Sequence, residues 1–421
     1  MLKGWSRQEW SWAFYDCANS VYALIVMVAF IPFFLKHHLN IADSGLSMTS
    51  LLGYANSIGS AMVVILAPAL GAIADQYGYR KKFLGLFAAV GILATFSLSL
   101  VSNGQFILAA SIFVLGNIGF ATANGLYDAL ILTVTSKDRL DRLSALGFSL
   151  GYAGSLILFV FAYITILHPE WFGFADSITA MRVTFVLTAV WWLSFMIPLL
   201  RSALKEDRLA EADIRPWKAL KSAFGELKET LQEIRQYHGA AIFLLAYWFY
   251  IDGVHTVIKM AVAYSEALGF DSSVPIKGIL AVQVIAIPAT LVFGRLADKF
   301  GARPMIMIGL AAYLVVTAGA PLMTSPAHFY LLAGIIGLSQ GGIQSMSRSM
   351  FARLIPENEA GKYFGFYNMV GKFAAVIGPF LMATMAIVLN ERLSILAIPV
   401  LFIVGMVLLA RVKDPGQAGA T

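Results

Sequence analysis

Apolar stretches of about twenty residues recur along the whole of this 421-residue chain, separated by short polar breaks. A helix of about twenty apolar residues is long enough to cross the hydrocarbon core of a bilayer. Because backbone N–H and C=O groups find no water there, such stretches fold as helices. The sequence therefore predicts an all-α membrane protein with twelve transmembrane helices, near residues 11–35, 50–74, 83–101, 106–134, 144–167, 181–200, 239–264, 276–297, 304–323, 329–352, 363–389 and 394–411.

The composition argues against several other classes of protein. Hydrophobic residues make up 59% of the chain and charged residues 13%, about half the charged share of an average soluble domain. The net charge of +6 would suggest nucleic acid in a soluble chain, but the basic residues fall in the breaks between apolar stretches, so we expect no nucleic-acid partner. The single cysteine, Cys17, cannot form an intramolecular disulfide and has no companions for a metal cluster. We expect no metal and no cofactor.

Basic residues are distributed unevenly between the two sides of the predicted membrane. Of the 30 Lys and Arg residues, 23 lie on one side and 4 on the other, in the breaks or at the span ends next to them. Cytoplasmic loops carry the excess of Lys and Arg in membrane proteins. We therefore expect both termini and the longest break, residues 201–238, to lie in the cytoplasm.

This longest break separates two halves of six spans each, which predicts domains at residues 1–200 and 239–421. Within the break, apolar residues recur three or four positions apart from Trp217 to Ile234, and Pro216 suits a first helical turn. The pattern predicts an amphipathic helix on the inner membrane surface. A partner-binding role is the alternative for this helix.

The two halves share a loop motif at a constant offset of 223 residues. Each copy follows the second span of its half and leads into the third. The first copy consists of Gly71, Asp75, Gly78 and Arg80, and the second of Gly294, Asp298, Gly301 and Arg303. Parallel six-helix repeats are the architecture of one large class of transporters.

The two loop copies resemble the cytoplasmic signature of the major facilitator superfamily, and the resemblance covers essentially the whole chain. Four further stretches resemble the branch related to fungal vacuolar amino-acid effluxers and their bacterial relatives: WAFYDCANSVY (12–22), YIDGVHTVIKMA (250–261), GGIQSMSRSMFARLIP (341–356) and GKYFGFYNMVGKFAAVIGP (361–379). The resemblance implies two pseudo-symmetric six-helix bundles, alternating access, and outward movement of amino acids or similar small metabolites across a bacterial inner membrane. It also implies that the acid and bases of each loop copy clasp neighbouring helix ends and so act as a gate.

Charged side chains also lie inside the predicted spans, where a charge costs at least ~2.5–3.5 kcal/mol and normally faces a cavity or a partner. There are three acids and three bases: Asp16, Asp128, Asp252, Lys259, Arg348 and Lys372. On the seventh span, Asp252 shares one helix face with His255, Thr256 and Lys259, because these residues follow at helical spacing.

Polar positions correspond between the two halves. Asp16, Asn19 and Ser20 on the first span match Asp252, His255 and Thr256 on the seventh at an offset of 236. Asp128 and Arg348 occupy equivalent places on the fourth and tenth spans, and Asn368 and Lys372 form an i, i+4 pair on the eleventh.

We expect these groups to form a midplane site between helices 1, 4, 7, 10 and 11 for a small polar or zwitterionic solute. One carboxylate, or His255, would carry a proton, which makes the proton a candidate co-substrate. The alternative is ion pairing that holds the halves together. For Asp16 and Arg348, which lie closer to the cytoplasmic ends, gating pairs are a further alternative.

The sequence favours a secondary transporter. It lacks a phosphate-binding loop of the G-x-x-x-x-G-K-[ST] type, so we expect an ion or solute gradient, rather than ATP, to drive transport. No nucleophile–base pair emerges, so we assign no catalytic residue and expect no enzyme. We expect a monomer whose partners are the solute, the bilayer and a proton. Two alternatives stay open: an exporter of drug-like or lipid-like solutes, and a non-transporting membrane sensor or scaffold.

Overall fold

The computed structural model describes residues 4–31, 34, 48–204, 206, 233–234, 237–271, 273–374 and 377–412. These residues form helices and contain no β-strand. The main helices are α1 (Arg7–Val21), α2 (Met48–Tyr77), α3 (Arg80–Leu98), α4 (Phe106–Ala129), α5 (Leu140–Leu167), α6 (Ser177–Arg201), α7 (His238–Ala267), α8 (Ser273–Phe300), α9 (Ala302–Gly319), α10 (Pro326–Leu354), α11 (Ala360–Phe373), α12 (Ile377–Val388) and α13 (Pro399–Ala410). Helix α1 continues as a π-helix over Tyr22–Phe30.

Nine helical segments of the described residues are long and apolar enough to cross a membrane. They match all of the predicted spans except the second, the tenth and the eleventh. The second and tenth spans are nevertheless helical, as α2 and α10. Helix α10 is unusually polar, and its polar side chains are mostly buried in the protein, among them Ser339, Ser345, Ser347, Arg348 and Ser349.

The eleventh predicted span, residues 363–389, is interrupted. Helix α11 ends at Phe373 and α12 begins at Ile377. Pro379 lies in the first turn of α12, where its missing N–H removes no intrahelical hydrogen bond. Ala374 is a turn residue, residues 375–376 lie outside the described part of the protein, and α11 and α12 are described as two helices.

The chain forms two compact units. The first unit draws on residues 1–134, 150–224 and 358–366, and the second on residues 135–149, 225–357 and 367–421. The predicted amphipathic helix begins at Pro216 and ends at Ile234, and all of it except residues 233–234 lies outside the described residues. The domain boundaries at 200 and 239 stay a prediction.

In the first unit, small residues let helices approach closely, as is common in membrane proteins. A Cβ at Gly119 of α4 would lie 2.6 Å from the backbone nitrogen of Gly91 of α3. Helix α1 begins at a capping box, in which the Ser6 side chain accepts the Glu9 N–H and the Glu9 carboxylate accepts the Ser6 N–H.

In the second unit, glycines again face large side chains of neighbouring helices. A Cβ at Gly253 of α7 would lie 2.6 Å from the Phe402 ring of α13, and one at Gly309 of α9 would lie 2.5 Å from Ile343 of α10. These contacts hold α7 close to α13 and α10 close to α9.

Candidate functional site

The first loop copy closes around the start of α11. Asp75, at the end of α2, is 3% exposed, and its carboxylate accepts the Gly361 N–H at 2.9 Å and the Lys362 N–H at 2.8 Å. An anion at these free N–H groups is favoured by the partial positive charge of the helix N-terminus. Asp75 therefore caps α11 from a different helix.

Arg80, at the start of α3, completes this arrangement. Its Nε pairs with Asp75 Oδ1 at 2.5 Å, and its Nη2 donates to the Asn358 carbonyl at 2.9 Å. Gly78, between the two, has φ +64°, a left-handed conformation that glycine adopts without strain. In the first unit the structure thus brings together Gly71, Asp75, Gly78 and Arg80 of the predicted loop with the start of α11.

Glycines allow α2 and α11 to touch at this place. A Cβ at Gly71 would overlap the Gly361 carbonyl, and a Cβ at Gly361 would lie 2.5 Å from Asp75 Oδ1 and 2.8 Å from the Gly71 oxygen. The predicted loop glycine is required by this close helix crossing.

We expect Gly361→Ala to lower the melting temperature of the purified protein, because the added methyl group must push α11 away from Asp75. Overpacking of this kind typically costs about 1–3 kcal/mol. Gly334→Ala in α10 is the matched control, since its Cβ would meet only Ile285 at an ordinary 3.9 Å. Equal melting temperatures for the two variants would contradict the close crossing.

The second loop copy has different contacts. Asp298, at the end of α8, pairs with the Arg142 side chain at the start of α5. Its side chain is 19% exposed and that of Arg142 58%. Gly301 is left-handed, with φ +86°, and Arg303 donates to the Val412 carbonyl at 2.8 Å. A Cβ at Gly294 would lie 2.5 Å from Ala145 of α5. A glycine with positive φ recurs in the second copy, but its acid binds a side chain and not a helix N-terminus.

The linker begins beside the first loop copy. The Glu206 carboxylate accepts the Lys81 N–H at 3.1 Å, and the Lys81 ammonium donates to the Ser202 carbonyl at 2.7 Å. Burial raises the pKa of the Glu206 carboxyl. The start of the linker is therefore hydrogen-bonded to the start of α3, next to Arg80.

Asp252 lies in the middle of α7 and has no exposed surface. Its carboxylate accepts the Gly378 N–H, at 3.1 Å to Oδ1 and 3.2 Å to Oδ2, and the Thr256 hydroxyl lies 3.4 Å from Oδ1. A Cβ at Gly378 would overlap the Thr256 hydroxyl. Asp252 thus caps α12, the second part of the interrupted helix.

Other predicted site residues of the second unit lie on α7 and α11. His255 is half-buried and Lys259 is exposed. Asn368 lies on α11, as does the backbone of Lys372, whose side chain is outside the described part of the protein.

Arg348 of α10 binds the start of α5. Its guanidinium donates to Ser144, at 2.9 Å to Oγ and 3.0 Å to the carbonyl, and lies 4.4 Å above the Phe148 ring.

In the first unit, the predicted residues Asp16, Asn19 and Asp128 are all buried. The Asn19 amide donates to the Asn124 side chain of α4. Nearby on α1 and its π-helical continuation, Tyr22 donates to Asn117 at 3.0 Å. Hydrogen bonds between amide and hydroxyl groups therefore join the first and fourth predicted spans. The sequence predicted Asn19 as a site residue but not Tyr22, Asn117 or Asn124.

Sequence reasoning missed a buried ion pair. Asp141 of α5 and Arg353 of α10 form two parallel hydrogen bonds, each 2.7 Å long. From the sequence, Arg353 is one of the 23 basic residues predicted to lie on the cytoplasmic side. The available signal was Asp141 itself, an acid among the bases of a loop predicted to be cytoplasmic.

The described residues contain no group of three or more His, Cys, Asp and Glu side chains that could hold a metal ion.

The fold is that of the major facilitator superfamily. Among solved structures, the chain is similar to the proton:xylose symporter XylE bound to 6-bromo-6-deoxy-D-glucose, with a TM-score of 0.74 and 15% identity over 97% of this chain and 96% of that one. The prediction of a twelve-helix major facilitator fold is confirmed.

The sequence comparisons show the family, and with it that the chain is an integral membrane transporter of the major facilitator superfamily and not an enzyme. The family model described as "Vacuole effluxer Atg22 like" matches residues 36–415, and the chain belongs to this family. It is 38% identical to the uncharacterized MFS-type transporter YxiO of Bacillus subtilis, over 98% of this chain and 96% of that protein. It is 21% identical to autophagy-related protein 22 of Vanderwaltozyma polyspora, over 76% of this chain and 69% of that protein.

Proposed function

We propose that this transporter exports amino acids or similar small zwitterionic metabolites by alternating access, in exchange for protons. The observation that carries the proposal is Asp252, a fully buried carboxylate inside an apolar span, held by the first turn of α12. A carboxylate is retained in such a place at a cost, and intramembrane acids commonly mark proton and solute pathways. The description of the family as vacuole effluxer like supports the movement of a solute out of a compartment.

The buried amide and carboxyl groups of the first unit support a polar solute. Asp16, Asn19, Asn117 and Asp128 are each at most 5% exposed. An apolar pocket for drug-like or lipid-like solutes would not need them. Lys259, Arg348 and Lys372 supply the positive charges that a solute carboxylate requires, and His255 and Asn368 are further polar candidates.

The first loop copy supports alternating access. Its contacts join α2, from the first half of the sequence, to α11, from the second half, on the side predicted to be cytoplasmic. In this proposal the contacts of Asp75 and Arg80 break whenever that side opens. We also propose that the protein is a monomer of a bacterial inner membrane, with both termini in the cytoplasm.

A melting-temperature screen of the purified protein against the twenty amino acids and a set of apolar drugs tests the solute class. A ligand present at 100 times its dissociation constant stabilises the protein by ~2.7 kcal/mol. We expect one or a few amino acids to raise the melting temperature and to exchange across proteoliposomes. Stabilisation by apolar drugs alone would favour the drug exporter, and a protein that moves none of these solutes would favour a sensor or scaffold.

A further inference from the structure

The start of α5 is held to the end of α10 by a buried ion pair. The side chains of Asp141 and Arg353 are only 4% and 9% exposed. The Ser349 hydroxyl donates to Asp141 Oδ1 at 2.5 Å, and Arg353 also donates to the Lys137 carbonyl at 3.2 Å. A planar guanidinium that binds both oxygens of a carboxylate is among the strongest and most directional pairs in proteins.

One turn further along α5, a second arginine of α10 makes parallel contacts. Arg348 binds the hydroxyl and the carbonyl of Ser144, and the Ser144 hydroxyl donates to the Ser345 carbonyl at 2.7 Å. Two successive turns of α5 are therefore fixed to α10.

The two repeats differ at the corresponding place. A 3₁₀ turn precedes α5 at Lys137–Arg139 and precedes α11 at Glu357–Glu359, an offset of 220 residues. At this offset Asp141 corresponds to Gly361. In the first unit, glycine at 361 leaves room for Asp75 to reach the N-terminus of α11.

In the second unit, α5 carries its own carboxylate in its first turn, because position 141 is aspartate. Asp298 would meet a like charge there, and it binds the Arg142 side chain instead. The acid that holds the start of α11, Asp75, thus lies on α2. The acid that holds the start of α5, Asp141, lies on α5 itself.

We propose that the ion pair of Asp141 and Arg353 acts as the cytoplasmic gate beside the second loop copy. They position the start of α5 against the end of α10 while the cytoplasmic side is closed, and they separate in each transport cycle. The exposed pair of Asp298 and Arg142 contributes little, since surface ion pairs are weak. This proposal rests on the alternating access proposed above.

Removing and then swapping the charges of Asp141 and Arg353 tests the gate. In a Cys17→Ala background, spin labels at the exposed positions Ser136 and Lys299 report the separation of α5 from α8. We expect Asp141→Asn and Arg353→Gln each to raise the ratio of long to short distances at least roughly tenfold, the factor for losing one strong charged contact. The double variant Asp141→Arg/Arg353→Asp should return the ratio towards that of the wild type. Asp138→Asn, an exposed acid of the same loop, is the matched control and should change nothing.

Solute affinity separates gating from a merely structural role. In both single variants the maximal transport rate should fall, and the apparent dissociation constant for the solute should change by no more than the shift in the open-to-closed ratio requires. Wild-type distances in folded single variants, or a folded double variant that is no closer to wild type, would overturn the proposal. If neither single variant folds, Ser349→Ala replaces them, with an expected rise in the ratio of roughly tenfold for one lost hydrogen bond to a charged group, and an unchanged ratio would overturn the proposal.

The distance measurement requires no solute, so the two proposals can fail separately. A wild-type protein that moves no amino acid, but whose distances respond to charge exchange, would contradict the proposed function and leave the gate intact.

Discussion

Asp252→Asn should exchange amino acids across proteoliposome membranes like the wild type but fail to accumulate them when a pH gradient is the driving force. Asparagine keeps a carbonyl oxygen that can accept the Gly378 N–H, so the start of α12 stays in place. It has no group that binds and releases a proton. A gradient of one pH unit is worth about 1.4 kcal/mol and supports up to about tenfold accumulation at one proton per solute. We expect the variant to reach no accumulation.

Two further variants make this result interpretable. Asp271→Asn, at an exposed acid before α8, should accumulate solute like the wild type. Asp252→Ala removes the acceptor altogether and should lower the melting temperature, because losing a helix cap costs about 0.5–2 kcal/mol. If Asp252→Asn still concentrates solute, Asp252 only holds α12 in place and does not carry the coupled proton.

Asp75→Asn should open the cytoplasmic side of the folded protein. The carboxylate of Asp75 accepts two N–H groups and the Arg80 guanidinium, whereas the amide of asparagine must point its own NH₂ group at one of these donors. Hydrogen bonds to charged groups contribute about 1.5–3 kcal/mol each. Losing one should therefore raise the ratio of open to closed molecules by roughly 10- to 100-fold.

Spin labels at Gln76 and Asn358, both exposed and both beside the contact of α2 with α11, measure this ratio. The same substitution in the second loop copy, Asp298→Asn, is the matched control. It should have a much smaller effect on labels at Ser136 and Lys299, because Asp298 pairs only with an exposed arginine. Unchanged distances in Asp75→Asn would exclude Asp75 from gating.

Much of the fold follows from the sequence because bilayer thickness fixes the length of each apolar stretch. The break in the eleventh span does not follow, since residues 374–377 are as apolar as their neighbours. A proline such as Pro379 bends some helices and begins others. Whether Pro379 bends a helix or lies near the start of one depends on Asp252, which lies on another helix and accepts the Gly378 N–H.

The sequence predicts which residues belong to the candidate site better than it predicts their contacts. The duplicated loop indicated Asp75 and Arg80, because a repeated acid and base at equivalent loops is a pattern along the chain. It did not indicate that Asp75 accepts backbone N–H groups while Asp298 binds a side chain. That difference depends on which residue, Gly361 or Asp141, lies at the start of the opposing helix. Such cross-helix partners have no fixed spacing in sequence.

Solute-driven proton movement tests proton-coupled export most directly. Proteoliposomes that contain the wild-type protein and a pH-sensitive dye would receive the stabilising amino acid on the outside, with no initial pH gradient. Exchange for protons predicts that the lumen becomes alkaline as solute enters, and that Asp252→Asn takes up solute with no pH change. Uptake by the wild type at constant internal pH would contradict proton coupling, and the absence of uptake for every amino acid would contradict the proposed substrate class.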